Sequence, residues 1–306
     1  MLIPLSRKRE QDQPIPTKKQ SGVDSCRLNL WYFYGHNFLT MVHQDLLYHS
    51  IQAAIAAGDA ILEVYHQEHI ETQVKADESP LTQADLASNR ILVEQLELTG
   101  IPIISEEIKN VAYASRKNWE ECWIIDPLDG TKEFINRNGE FTVNIALLTD
   151  GKLQLGIIYV PVTGALYFTN SAMTAAYRYD YKKELPEMEE LLEKSVPLLP
   201  HKSEEVLKIV GSKSHMNEAT LAFMENLKKE TDREVVIESI GSSLKFCLVA
   251  SGVGEVYPRF GPTMEWDTAA GQAICEAVGL QVLDADTKVP LQYNKEDLYN
   301  PFFIVK

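Results

Sequence analysis

Hydrophobic positions near the start of the regular part of the chain follow the period of a helix. Within residues 43–67 they fall on one helical face, at Leu47, Ile51, Ala54, Ile55, Gly58, Ile61, Leu62 and Tyr65. This spacing predicts a helix that packs one face against a core. A second helix is predicted from Thr82, with Asp85 as its capping-box partner, to about Leu98, ending at Gly100.

Short apolar runs after the second helix predict strands. Residues 101–104 and 122–125 are two such runs, and each leads into acidic residues. Residues 141–148 and 153–160 are separated by Thr-Asp-Gly-Lys, which is typical of a β-hairpin, and residues 164–168 predict another strand. Acidic residues at strand ends indicate a site built where strands meet loops.

The same patterns divide the chain into four segments. Residues 1–40, with prolines, two basic clusters and an aromatic stretch, predict an N-terminal extension that is disordered or non-native. Residues 41–180 predict an α+β domain, and residues 181–205, rich in Lys, Glu and Pro, predict an exposed insertion or linker. In residues 206–306 strands and helices alternate, which predicts an α/β domain.

Composition and charge narrow the class of protein. A chain of 306 residues that is 45% hydrophobic can bury a large core. It contains no run of about 18 apolar residues, so no integral membrane segment is predicted. The formal net charge of −15 disfavours a nucleic acid polymer as partner. Four scattered cysteines without a CxxC pair favour a reducing cytoplasm over a disulfide scaffold or zinc ribbon.

Three acidic patches carry the candidate chemistry. They are the pair Glu106 and Glu107, the turn that holds Asp126 and Asp129, and Asp267 at a predicted helix start. Hard cations such as Mg²⁺ need oxygen ligands. Clustered carboxylates repel one another strongly unless a cation lies between them. The patches together therefore predict a site for divalent cations.

Taken singly, each acidic residue also has an ordinary structural explanation. Asp267 could be a helix N-cap, and Asp85 could be only the capping partner of Thr82. The glutamate pair could lie in a solvated loop, and the two aspartates of the second patch could be turn residues.

The order of the patches resembles the three-part signature of the inositol monophosphatase superfamily, which are lithium-sensitive, magnesium-dependent phosphomonoesterases. The resemblance is carried by Glu106-Glu107, Asp126-Pro127-Leu128-Asp129-Gly130-Thr131 and Trp266-Asp267-Thr268-Ala269-Ala270. It covers the chain from about Met41 to the C-terminus. It implies an α/β protein of the α+β sugar-phosphatase fold, a layered αβαβα sandwich. In that fold residues 41–180 form the metal-binding domain and residues 206–306 the substrate domain.

Further motifs resemble the 3′(2′),5′-bisphosphate nucleotidase branch of this superfamily. They are the stretches 75–85, 211–215, 241–246 and 257–262. The resemblance implies hydrolysis of adenosine 3′,5′-bisphosphate to AMP and phosphate, in support of sulfate assimilation. An inositol monophosphatase or sugar bisphosphatase is the alternative that keeps the chemistry. A non-catalytic regulator that binds metal or nucleotide is the alternative from another class.

The resemblance also assigns a role to each candidate residue. The implied ligands of two or three Mg²⁺ ions are Glu106, Asp126, the carbonyl of Leu128, Asp129 and Asp267. Glu107 orients these ligands, Asp85 and Thr131 orient and deprotonate the attacking water, and Gly130 and Thr131 donate backbone N–H groups to the phosphate. The implied partners of the second phosphate and the nucleoside are Ser212, His215, Ser243, Lys245 and Arg259.

Three of the substrate residues have structural alternatives. His215 could cap a helix, and Lys245 could be a solvated helix residue. Arg259 could pair with Glu265. The sequence leaves these alternatives open.

The expected partner is a small-molecule nucleotide bisphosphate. Monomer and homodimer both stay open, because dimers occur in the superfamily. The expected location is cytoplasmic. Some superfamily members lie at the inner face of the bacterial membrane, so peripheral association there is a second expectation.

Overall fold

The computed structural model describes residues 24–70, 72–74, 80–109, 111–211 and 217–306. The chain divides into two compact units, residues 1–39 and 40–306. The described part of the first unit is helical, and the second unit contains every strand among the described residues.

The described residues contain eight α-helices. They are α1 (Asp24–Tyr65), α2 (Gln83–Leu96), α3 (Tyr113–Arg116), α4 (Thr131–Ile135), α5 (Met188–Lys194), α6 (Glu218–Glu230), α7 (Leu244–Ala250) and α8 (Glu265–Ala277). The predicted capping box begins α2, and a 3-10 turn over Glu97–Thr99 ends at Gly100, whose φ of 73° suits glycine.

Fourteen strands lie in the same residues. They are β1 (Thr72–Val74), β2 (Pro80–Thr82), β3 (Ile103–Ser105), β4 (Glu121–Asp129), β5 (Thr142–Thr149), β6 (Lys152–Val160), β7 (Ala165–Thr169), β8 (Ala176–Asp180), β9 (Val196–Pro197), β10 (Val206–Gly211), β11 (Glu234–Ser239), β12 (Tyr257–Arg259), β13 (Val282–Asp284) and β14 (Phe303–Val305).

A seven-stranded sheet in the order β3-β4-β5-β6-β7-β8-β9 forms the centre of the second unit. Strands β3 and β4 are parallel, and each later pair is antiparallel. The predicted hairpin is present as β5 and β6, which confirms that turn.

Alternate residues of the sheet face two separate cores. In β4, Trp123 packs in one cluster with Leu47 of α1 and Leu92 of α2. The next residue, Ile124, packs in the opposite cluster, which includes Ala273 of α8. The two-residue alternation of a strand therefore buries both faces of the sheet between helices.

Further layers lie beyond α7 and α8. Val210 of β10 packs in the same cluster as Ala273, whereas Ile209 faces the other way and packs with Met224 of α6. A bridge from Ile209 to Val256 joins β10 and β11 to the three-stranded sheet β12-β14-β13. Helices, sheet, helices, strands and helix follow in order, which confirms the predicted αβαβα sandwich.

The close packing of α8 on the sheet depends on a glycine in β6. A Cβ atom at Gly156 would lie 2.5 Å from the carbonyl oxygen of Ala270 and 2.6 Å from the Cβ of Ala273. The absent side chain lets α8 approach the sheet and brings Asp267, in the first turn of α8, towards the end of β4.

The segment 181–205 differs from the exposed insertion that its composition predicts. It contains α5, and β9 pairs with β8 at the edge of the large sheet. Leu191 and Leu198 are buried. Apolar residues spaced among the charged ones attach the segment to the core, and the Lys and Glu residues around them obscure this in the composition.

At the N-terminus, α1 begins at Asp24, within the segment predicted as an extension, and residues 1–23 lie outside the described residues. Across the described ranges, no helix is both long and apolar enough to cross a bilayer.

Candidate active site

The end of β4 presents the first group of predicted ligands. The pairing of β4 with β5 shifts register between Asp126 and Asp129, so the strand bulges there. The backbone N–H of Leu128 donates to Asp126 Oδ1 at 3.0 Å, and the Ser88 hydroxyl donates to the carbonyl of Pro127 at 2.6 Å. These bonds fix a turn in which Asp126, Leu128 and Asp129 follow within four residues.

Gly130 joins this turn to α4. Its φ of 95° lies in the left-handed region, and a Cβ atom there would lie 3.1 Å from the Cβ of Ser242. The turn places the Thr131 hydroxyl 3.1 Å from Asp85 Oδ1, to which it donates, and 3.5 Å from the carbonyl of Leu128.

Asp85 is both a cap and a partner of Thr131. Its Oδ2 accepts from the backbone N–H of Thr82 at 2.7 Å and from the Thr82 hydroxyl at 2.6 Å. Its Oδ1 faces Thr131. The structural and the chemical interpretations of Asp85 are therefore compatible, because each uses a different oxygen.

Asp267 is likewise a cap with a second connection. Its Oδ2 accepts from the backbone N–H of Met264 at 2.8 Å, at the start of α8. Its carbonyl oxygen lies 3.0 Å from the Ser243 hydroxyl oxygen. The same hydroxyl and the backbone N–H of Ser243 each lie 2.6 Å from Asp129 Oδ2. Ser243 therefore connects Asp129 with Asp267.

The carboxylates of the three patches lie within electrostatic reach of one another. Burial raises the pKa of Asp126 well above its ordinary value, and the charges of Glu106, Asp129 and Asp267 add to this rise. Burial, followed by the charge of Asp129, raises the pKa of Asp267 to about 8. Shifts of this kind mark a cluster in which buried negative charges repel one another.

The donor set suits a hard divalent cation. It consists of four carboxylates and the carbonyl of Leu128, and it contains no sulfur or imidazole. Among the described residues, no three His, Cys, Asp or Glu side chains form a closed group that would hold a metal by themselves. An ion here would therefore also need the backbone carbonyl, water or substrate oxygens, as is usual for Mg²⁺.

Glu106 and Glu107 are half-buried in the loop after β3. The Ser105 hydroxyl donates to Asn89 Oδ1 at 2.8 Å and accepts from the backbone N–H of Glu107 at 3.3 Å. The loop is therefore tied to α2, unlike the freely solvated loop of the structural alternative.

A cavity of about 210 Å³ brings half of the predicted residues together. The predicted residues that line it are Asp129, Gly130, Thr131, Ser243, Lys245, Arg259 and Asp267. One wall comes from the end of β4 and α4, and the other from α7, β12 and α8.

Two cations face these carboxylates. Lys245 is only 5% exposed, so it is not a solvated helix residue. Burial lowers its pKa to about 8, although Asp129 acts in the opposite direction, and its Nζ lies 5.6 Å from the centre of the Tyr257 ring. Arg259 donates through Nη2 to the carbonyl of Pro262 at 3.1 Å, while its buried Nε has no hydrogen-bond partner among the described residues.

The remaining predictions for substrate residues have mixed outcomes. Ser212 and His215 lie outside the described residues. The Ser243 hydroxyl, predicted to contact substrate, contacts Asp129. The alternative pair of Arg259 with Glu265 is not formed, because Glu265 pairs with Lys295 at 2.6 Å.

Several cavity residues were not predicted from the sequence. They are Pro80, Lys132, Glu133, Ser242, Phe246, Tyr257, Thr263, Thr268 and Phe303. Lys132 and Glu133 directly follow Thr131, so their position beside a predicted site residue was the available signal. Phe303 carries no such signal, because only the pairing of β14 with β12 brings it to the cavity.

Comparison with known proteins agrees with this fold and site. Residues 43–301 match the model of the inositol monophosphatase family. The chain belongs to the inositol monophosphatase family, in which catalysis depends on bound metal.

Within the family, the chain is similar to proteins named 3′(2′),5′-bisphosphate nucleotidase CysQ. The protein of that name from Salmonella typhimurium is 41% identical over 83% of this chain and 96% of its own length. That from Escherichia coli (strain K12) is 42% identical over the same shares. The crystal structure of CysQ from Bacteroides thetaiotaomicron superposes with a TM-score of 0.78 at 45% identity, over 86% of this chain and 97% of that one. The resemblance found in the motifs is thereby confirmed.

Proposed function

We propose that this protein is a Mg²⁺-dependent phosphomonoesterase that hydrolyses adenosine 3′,5′-bisphosphate to AMP and phosphate, in support of sulfate assimilation. The observation that carries the proposal is one cavity in which Asp129 and Asp267 face Lys245 and Arg259. A bisphosphate needs a cation-binding centre for the phosphate that is cleaved and separate cationic side chains for the one that is retained. The names of the similar CysQ proteins support the same substrate.

Two or three Mg²⁺ ions would be held by Glu106, Asp126, the carbonyl of Leu128, Asp129 and Asp267. Glu107 would orient these ligands. When bound, such ions lower the pKa of a coordinated water and neutralise the charge on the leaving oxygen. Burial of Asp126 supports this role, since a buried carboxylate without a cation is unfavourable.

Thr131 and Asp85 orient and deprotonate the attacking water. The Thr131 hydrogen points to Asp85 Oδ1, so a lone pair of Thr131 Oγ1 is free to accept from a water in the cavity. As that water attacks phosphorus, its proton passes to Thr131 Oγ1 and the threonine hydrogen passes to Asp85. Gly130 and Thr131 line the same cavity, and their backbone N–H groups are assigned as donors to the phosphate.

Lys245 and Arg259 bind the retained phosphate. Within the described ranges the buried Nε of Arg259 lacks a partner, and a phosphate oxygen would supply one. Ser212 and His215 stay assigned to the nucleoside on the resemblance alone. Ser243 is also assigned to the nucleoside, although its hydroxyl contacts Asp129 in the structure.

The same arrangement supports the proposed division into domains. Residues 41–180 supply most of the proposed ligands, and residues 206–306 supply Asp267 and the substrate side, with 181–205 between them. A cytoplasmic location is supported by Cys122, Cys247 and Cys275, which are buried free thiols.

The test is phosphate release with Mg²⁺ from adenosine 3′,5′-bisphosphate, inositol 1-phosphate and fructose 1,6-bisphosphate, with and without Li⁺. We expect a strong preference for the nucleotide and inhibition by Li⁺. A preference for inositol 1-phosphate would contradict the roles of Lys245 and Arg259. No release from any of the three, with Mg²⁺ binding intact, would favour a non-catalytic regulator.

A further inference from the structure

Two polar side chains interrupt the apolar strand β5. Thr142 and Asn144 are 0% and 1% exposed, and their neighbours Val143, Ile145 and Ala146 are apolar and buried. Burying an amide and a hydroxyl in a core is unfavourable unless both find hydrogen-bond partners. Their partners therefore indicate why this strand keeps them.

The partners form a series of hydrogen bonds that leads to Asp129. The Thr142 hydroxyl donates to Asn144 Oδ1 at 2.9 Å. Asn144 Nδ2 donates to Ser243 Oγ at 2.9 Å, and it also lies 3.4 Å from Asp129 Oδ2. The Ser243 hydroxyl in turn lies 2.6 Å from Asp129 Oδ2.

The donor and acceptor roles along this series of hydrogen bonds follow from Asp129 at one end. Asp129 is acceptor-only when ionised, so the amide must present its NH₂ group to that side. The opposite orientation would bring Asn144 Oδ1 against the carboxylate. Thr142 then donates to Oδ1, and the Ser242 hydroxyl, 3.2 Å from Thr142 Oγ1, donates to Thr142. Hydrogen bonds aligned in this way strengthen one another.

All the donors converge on one oxygen of Asp129. Oδ2 receives the backbone N–H and the hydroxyl of Ser243, with the Asn144 amide alongside. No hydrogen bond reaches Oδ1 from the residues that the structure describes. The arrangement fixes the rotation of the carboxylate and leaves Oδ1 available to a cation.

We infer that Asn144 is a positioning residue for the metal ligand Asp129, and that Thr142 orients its amide. Asn144 does this by holding the Ser243 hydroxyl as a donor to Asp129. The inference rests on the proposed function, because it concerns a ligand of the proposed Mg²⁺ site. Partners of metal ligands of this kind typically change metal affinity by about 10- to 100-fold when they are replaced.

The test compares cation binding by the full-length protein and its Asn144→Ala and Asn144→Asp variants. Mg²⁺ and Mn²⁺, each alone and without substrate, are titrated calorimetrically. We expect Asn144→Ala to weaken binding by about 10-fold or more. Asn144→Asp should weaken it further, because a carboxylate replaces the donor beside Asp129 Oδ2.

A matched pair of variants separates positioning from general damage to the core. Thr142→Val removes the hydroxyl that orients Asn144. Thr169→Val removes an equally buried hydroxyl on the same sheet, one that accepts from the backbone N–H of Gly156 at 3.2 Å. Thr142→Val should weaken cation binding, whereas Thr169→Val should leave it unchanged. In activity assays, raised Mg²⁺ should restore kcat for Thr142→Val, which a merely structural defect would not allow.

The outcomes distinguish this inference from the function on which it rests. Wild-type protein that binds neither cation would overturn the proposed function and the inference together. If the wild-type protein binds the cations and both Asn144 variants bind them with the same affinity as the wild type, the inference alone would be overturned. If Thr142→Val and Thr169→Val weaken cation binding equally, the role of Thr142 would be overturned.

Discussion

Two residues in this site, Asp85 and Asp267, each make two contacts through different atoms. Asp85 caps α2 through Oδ2 and accepts from Thr131 through Oδ1. Asp267 caps α8 through Oδ2 of its side chain, and its backbone carbonyl oxygen lies 3.0 Å from the Ser243 hydroxyl oxygen. A substitution at either position would therefore disturb both a helix start and the chemistry, so Thr131 is the cleaner position for a test.

Replacing Thr131 with Val should lower kcat by about 10²- to 10⁴-fold, because the hydroxyl that relays the proton to Asp85 is lost. Thr131→Ser keeps the hydroxyl and should retain most activity. Steady-state kinetics on both variants checks this, with circular dichroism to confirm folding. Similar kcat values for the two variants would contradict the assignment.

Replacing Arg259 with Ala should raise KM for adenosine 3′,5′-bisphosphate more than for a substrate that carries a single phosphate. The guanidinium, whose Nε has no partner in the part of the chain that the structure describes, would bind only the phosphate that is retained. Comparing KM for the two substrates measures the effect. Equal increases would count against a role on the second phosphate.

The raised pKa values of Asp126 and Asp267 make stability without metal depend on pH. The pKa of Asp267 moves from 3.8 to about 8, so between these values the folded protein binds more protons than the unfolded chain. Stability without metal should therefore fall as pH rises through this window. Because Mg²⁺ binds the deprotonated carboxylates, the gain in Tm on adding Mg²⁺ should be larger at about pH 8 than at about pH 5. Differential scanning fluorimetry at both pH values tests this, and an equal gain would contradict the coupling.

At the scale of elements, the site depends on how closely α8 approaches the large sheet. Gly156 and the alanines of α8 leave no room for another methyl group between them. Asp267 is in the first turn of that helix. The packing of the α8 alanines against Gly156 therefore sets the position of Asp267, a proposed metal ligand.

Gly156→Ala should destabilise the protein by about 1–3 kcal/mol through overpacking, and it should also lower activity by displacing α8. Gln154→Ala is the control, since it changes the same face of β6 two residues away at a partly exposed position. Its effect on unfolding should stay within about 0.5 kcal/mol. Urea denaturation of both variants gives the comparison, and equal midpoints would show that α8 can shift without cost.

Elements were largely predictable from the sequence because their signals are local. The capping box at Thr82 and Asp85 and the hairpin turn between β5 and β6 each depend on a few adjacent residues. The contact of Asn144 with Ser243 joins positions 99 residues apart, and no local pattern encodes it. The acidic ligands were found because their order matches a known signature. Their supporting partners were missed because a buried Asn in an apolar strand reveals no partner.

At the scale of the whole molecule, every described site residue lies in the unit of residues 40–306. The family match begins at residue 43. The described part of the site therefore belongs to the residues that match the family.

A chain that begins at Met41 should keep its kcat/KM for adenosine 3′,5′-bisphosphate and unfold at nearly the same temperature. The reason is that the match to the family and both main core clusters begin after that residue. Activity and thermal unfolding of the two chain lengths provide the measurement. A large loss of either property would show that residues 1–40 support the fold.

The long separation between Asp129 and the residues that hold it has a consequence for biosynthesis. Ser243 follows Asp129 by 114 positions, and the carbonyl of Asp267 follows 24 positions later. A nascent polypeptide could form much of the large sheet on the ribosome while Asp129 still lacked its donors. The capacity to capture a cation would then arise only when translation is almost complete. During refolding, the return of catalysis should accordingly report the last step of assembly.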